Sequence, residues 1–99
     1  MKVIVRPNNT GKTRELIEYS LQTGSPIYAY SDSKARSLRE KALAYFGTSV
    51  NVVTSTDLAS GISYGDILVD DIEKVFVKLL STYLPTADFN LAGFTTTED

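Results

Sequence analysis

Two segments of this 99-residue chain concentrate the groups able to do chemistry. The first is Arg6-Pro7-Asn8-Asn9-Thr10-Gly11-Lys12-Thr13, and the second is Asp70-Asp71, reached from the apolar run Ile67-Leu68-Val69. In the first, Gly11 lets the backbone approach an anion with no Cβ in the way. Lys12 adds a mobile positive charge, and Thr13 adds a hydroxyl able to ligate Mg²⁺. A helix starting here would aim its free N–H groups and its dipole at the same spot. Asn8 and Asn9 suit a loop visiting left-handed backbone angles, while Pro7 donates no N–H. In the second segment, two adjacent carboxylates offer a seat for a cation or a partner for a water. Successive strand residues alternate faces, so both acids can serve one site only if the strand ends there. Each segment also has a plain structural reading: a capped turn with a solvated Lys12, and an acid pair capping the next helix.

The remaining composition narrows the chemistry. There is no cysteine and no histidine, which removes disulfides, ordinary zinc sites and histidine-based triads or general bases. Hydrophobic residues make up 42% and charged ones 22%, the balance of a globular domain rather than a disordered one. No apolar run approaches the roughly 18 residues of a membrane span, and Met1–Arg6 is too short an apolar run for a secretory signal. The expectation is one cytoplasmic domain whose chemistry rests on carboxylates, lysine, arginine, hydroxyls and backbone amides. Residues 1–50 hold eight Lys/Arg against four Asp/Glu, and residues 51–99 hold two against eight. That asymmetry reads either as a phosphate-binding side facing a metal-binding side or as complementary surfaces of the fold.

Positioning these groups requires an alternation of strands and helices. Lys2-Val3-Ile4-Val5 reads as a buried strand. A helix follows over 11–23, with Leu16, Ile17, Ser20 and Leu21 on one face and Gly24 and Pro26 as stop signals. Residues 27–30 form a second strand, with Tyr28 and Tyr30 expected to pack in the core. Ser31-Asp32-Ser33 supplies cap chemistry for a helix over 33–46, whose Ala35, Leu38, Ala42, Leu43 and Phe46 keep helical spacing. Residues 50–53 make a third strand, and 54–65 a polar connection with one helical turn begun at Thr56-Asp57. Ile67-Leu68-Val69 is the fourth strand. Ile72, Val75, Phe76, Leu79 and Leu80 mark a helix to Tyr83, closed by Pro85. Residues 91–96 form a fifth strand interrupted by Gly93. This order predicts an α/β domain of three layers around a mostly parallel five-stranded sheet. Ligands of such sheets sit at the carboxyl ends of the strands, where both loaded segments fall.

With those contexts, the chain resembles the P-loop NTPases. Asn9-Thr10-Gly11-Lys12-Thr13 matches the last five positions of their Walker A motif, with Arg6 standing at the motif's first glycine. Ile67-Leu68-Val69-Asp70-Asp71 looks like a Walker B motif carrying an additional catalytic acid. The resemblance implies ATP or GTP bound through Asn9, Thr10, Gly11, Lys12 and Thr13. It implies Mg²⁺ held by Thr13 and, through a water, by Asp70, with Asp71, one methylene shorter than the usual glutamate, in the water-activating position beside Lys12. Gly93-Phe94-Thr95-Thr96-Thr97 resembles the polar strand end that senses the γ-phosphate, which would insert the last strand between the first strand and the Walker B strand. Short proteins of this pattern are frequent in phages and mobile elements. A lone domain of this size implies oligomers or a protein partner.

Two other readings stand beside an NTPase. One is a non-catalytic interaction module that keeps the fold and binds a protein or single-stranded nucleic acid; the other is an inhibitor mimicking part of a larger ATPase. Lys34, Arg36, Arg39 and Lys41 read as a solvated helix face, or as a nucleic-acid contact. Exposed tyrosines are able to stack on single-stranded bases.

Overall fold

The chain builds β1 (Lys2–Arg6), α1 (Lys12–Thr23), β2 (Ile27–Ala29), α2 (Asp32–Phe46), β3 (Val52–Thr54), α3 (Ser55–Ala59), β4 (Ser63–Val69) and β5 (Asp88–Thr97) in that order. This computed structural model describes residues 1–7, 10–59, 63–75 and 88–97. Residues 72–75 are helical. The expected course of that helix through Phe76, Leu79 and Leu80 to Tyr83 and Pro85 lies outside the described residues, as does Asn9.

All five strands run parallel in one sheet of order β1-β5-β4-β2-β3. The last strand is therefore inserted between the first and the fourth, as the strand-end pattern predicted. Alternation along each strand sends side chains to two cores. On one face Ile4, Ile27, Ala29 and Leu68 pack with Leu16 and Ile17 of α1 and Ala35, Leu38 and Ala42 of α2. On the other, Tyr28, Val53, Ile67 and Val69 pack with Leu58 of α3 and with Val75. Helices thus cover both faces, and the chain is an α/β domain.

Local chemistry explains most element boundaries. The Ser31 side chain accepts the Lys34 N–H at 3.1 Å and starts α2. Gly24 and Gly47 close α1 and α2 in left-handed geometry, each returning its N–H to the fourth residue back. Ser20 sits on the buried face of α1 because its hydroxyl donates to the Ser25 carbonyl at 2.6 Å.

Other boundaries differ from the sequence reading. The third strand falls at Val52–Thr54 rather than 50–53, and the helical turn lengthens to Ser55–Ala59. β4 begins at Ser63, inside what reads as polar connection, because Ser63, Gly65 and Asp66 pair with Asp88, Phe89 and Asn90 of β5. Ladder pairing with a neighbour overrides weak local propensity there. Leu43 is exposed rather than in the core stripe. β2 ends at Ala29, so Tyr28 is buried while Tyr30, past the strand end, is exposed. Gly93 is required by close packing: a Cβ there would lie 2.8 Å from the Lys2 carbonyl oxygen and 3.0 Å from Leu68 Cδ2.

Candidate functional site

Parallel strands end together, so the carboxyl ends of β1, β4 and β5 and the start of α2 meet at one edge of the sheet. β1 delivers the loop to Gly11, the N-cap of α1, which has φ 83° and makes no side-chain cap hydrogen bond. Thr10 folds the loop back on itself, its hydroxyl donating to the Pro7 carbonyl at 2.6 Å. The first amides of α1 have no intrahelical acceptor by the geometry of any helix start.

Asp70 is the hub. The Thr13 hydroxyl donates to its Oδ2 at 2.8 Å, and the Lys34 ammonium reaches the same oxygen at 2.8 Å. The buried Thr95 hydroxyl donates to Oδ1 at 2.6 Å and in turn accepts the Asp71 N–H at 2.7 Å. Burial by itself pushes the Asp70 carboxyl up. The Lys34 charge and the hydrogen bonds from Lys34, Thr95 and Thr13 outweigh it and hold the group below its ordinary value.

Asp71 is not on the opposite side of the strand. β4 stops at Val69, and Asp71 adopts φ 52°, a left-handed conformation uncommon for a residue with a side chain. That turn breaks the strand alternation. Asp71 Oδ2 lies 3.9 Å from the same Lys34 ammonium, and its Oδ1 lies 3.8 Å from the Lys12 ammonium. Lys12 is buried to 6% exposure and donates to the Thr97 hydroxyl at 2.7 Å, at the end of β5. Glu73 accepts the Thr97 N–H at 3.1 Å, tying the segment after Asp71 to that strand end.

Above this network lies a cleft of about 450 Å³ whose lining includes Gly11, Lys12, Thr13, Tyr45 and Asp71. Among the described residues its charged lining is Lys12, Arg14, Lys41 and Lys74 against the one acid Asp71. The Arg6 guanidinium bonds Glu15 on α1, and Lys2 lies 3.9 Å from the other oxygen of the same carboxylate.

The residues expected from sequence therefore converge: Thr10, Gly11, Lys12 and Thr13 meet Asp70 and Asp71. Lys34 is the correction. Arg36, Arg39 and Lys41 are exposed, as a solvated face should be, but Lys34 turns inward to both acids. The signal for it is topological: Lys34 sits in the first turn of the helix after β2, and that turn abuts the carboxyl end of the neighbouring β4.

Thr13 and Asp70 do touch, but the Asp70 oxygen beside Thr13 has no free site for a directly coordinated Mg²⁺. Magnesium wants near-octahedral oxygen ligands and usually keeps several of its waters. The Asp70 side chain has 0% exposure. A carboxylate oxygen has about two lone-pair sites, and both on Oδ2 are taken, by Thr13 and Lys34. No described helix is long and apolar enough to cross a membrane.

Comparison with known proteins returns no match: no family model fits the chain, and no curated protein or solved structure is significantly similar to it.

Proposed function

We propose that this chain binds a nucleoside triphosphate, ATP or GTP, with its phosphates in the cleft over Gly11, Lys12 and Thr13. One observation carries the reading: the Thr13–Asp70 hydrogen bond draws the loop after β1 onto the acid pair after β4, beneath a cleft whose charged lining is mainly cationic. A helix start and a left-handed glycine present backbone amides to an anion there, and Lys12 stands beside them. About 450 Å³ falls within the roughly 300–1,000 Å³ of small-molecule sites.

Turnover is slow in this reading. Both Asp71 oxygens face a lysine ammonium, so orienting a water for attack on the γ-phosphate requires one of those pairs to open. What catalysis remains is positioning and charge stabilisation.

Calorimetric titration with ATP and with GTP tests the proposal. Binding in the micromolar to millimolar range, weakened in Lys12→Ala, is expected, and no heat at millimolar nucleotide sinks it. A phosphate-release assay with and without single-stranded DNA separates the enzyme from a non-catalytic binding module. Release abolished by Asp71→Asn marks the enzyme; no release together with salt-sensitive DNA binding marks the module.

A further inference from the structure

We infer that Lys34 is the resident cation of the Asp70 carboxylate, standing where a divalent metal would otherwise sit, so that the site takes its polyphosphate without one. The inference rests on the triphosphate reading above and deepens it by naming the metal-free form of the ligand as the one recognised.

The geometry supplies the reasons. Lys34 Nζ is 2.8 Å from Asp70 Oδ2 and 3.9 Å from Asp71 Oδ2, bridging both acids as a metal would. Its side chain is 13% exposed and that of Asp70 0%, so this is not a surface pair that water separates at little cost. The backbone of Lys34 is fixed as well, its N–H bonded to the Ser31 cap. The charges already balance: Lys12 and Lys34 face Asp70 and Asp71. A magnesium ion entering here would have to expel an ammonium from a buried carboxylate, leaving the displaced charge unpaired. The cleft meanwhile provides other cations for the phosphate oxygens in Arg14, Lys41 and Lys74. Side-chain ammonium and guanidinium groups thereby do the charge neutralisation that magnesium performs elsewhere.

The test compares ATP binding in excess EDTA and in excess Mg²⁺ for the parent, Lys34→Met and Lys34→Arg. Binding of Mn²⁺ to the nucleotide-free proteins is followed in parallel by electron paramagnetic resonance. Parent affinities within about threefold of each other in EDTA and Mg²⁺ are expected. Lys34→Met should lose about tenfold or more in EDTA and recover with Mg²⁺, while Lys34→Arg should behave as the parent. Nucleotide-free parent should bind no Mn²⁺ at millimolar metal, and Lys34→Met should gain a site that Asp70→Asn removes. A parent whose ATP affinity falls tenfold in EDTA overturns the inference while leaving the nucleotide reading intact. If the parent binds ATP under neither condition, the nucleotide reading fails. The cation assignment is then decided by Mn²⁺ alone: parent binding removed by Asp70→Asn overturns it, and binding gained only in Lys34→Met supports it. The parent comparison needs no variant, so a poorly folded Lys34→Met does not shield the inference.

Discussion

The Thr13 hydroxyl and the Asp70 carboxylate, 57 residues apart in the chain, meet at 2.8 Å. Three parallel strands make that contact. β1 and β4 each end in a segment rich in chemistry, and β5 lies between them as a spacer. Thr95, from β5, then bonds the side chain of Asp70 and the backbone of Asp71 together.

Lys12→Met keeps the buried stem and removes the charge. If Lys12 contacts phosphate, a charge-assisted bond worth about 1.5–3 kcal/mol is lost, which weakens ATP binding by roughly 10- to 150-fold. Thermal stability should fall modestly, because the substitution removes the Lys12–Thr97 hydrogen bond and the 3.8 Å pair with Asp71. Unchanged affinity by calorimetry would remove Lys12 from the site.

Asp70→Asn should destabilise the fold by about 3 kcal/mol at neutral pH, since it leaves the inward-turned Lys34 without its charge partner. The folded-state pKa of Asp70 lies below its ordinary 3.8. Its contribution is therefore complete above that value and disappears as the pH falls through the lowered one. Urea unfolding of parent and variant across pH 2–7 should show their stability gap closing only at the acid end. A gap independent of pH would contradict the ion-pair account.

Asp71 substitutions separate conformation from charge. At φ 52°, asparagine is tolerated nearly as well as aspartate, whereas a β-branched residue is a genuine outlier. Asp71→Asn should cost less than Asp71→Val, because it keeps the turn and loses only two long ion contacts of 3.8 and 3.9 Å. Asp71→Val should cost about 2 kcal/mol or more. Equal melting temperatures for the two variants would show that the left-handed turn is not strained.

Gly93→Ala tests the close approach of β5 to β1. The new methyl would press on the Lys2 carbonyl oxygen, a backbone atom that moves only with its strand. Overpacking of this kind costs about 1–3 kcal/mol, read as a lowered urea midpoint. A midpoint equal to the parent's would show that the β1–β5 contact is looser than described.

The residue types, the order of strands and helices, and the two candidate segments were legible from sequence because they are local properties. Hydrophobic periodicity, cap residues such as Ser31, and stop glycines at positions 24 and 47 act within a few residues of themselves. Thr10 through Thr13 and the Asp70-Asp71 pair could be singled out for the same reason. The polar start of β4, the exposure of Tyr30 and the inward turn of Lys34 were not legible, since each depends on a neighbour distant in sequence. Ser63 belongs to a strand only because Asp88 pairs with it. Asp71 reaches Lys34 only because its backbone turns left-handed where β4 ends. Lys34 carries the same charge as Arg36 and Arg39 on the same helix. Only packing of α2 beside the end of β4 decides that its ammonium leaves water for a buried carboxylate, because charge is local to a residue but its partner is chosen by the fold.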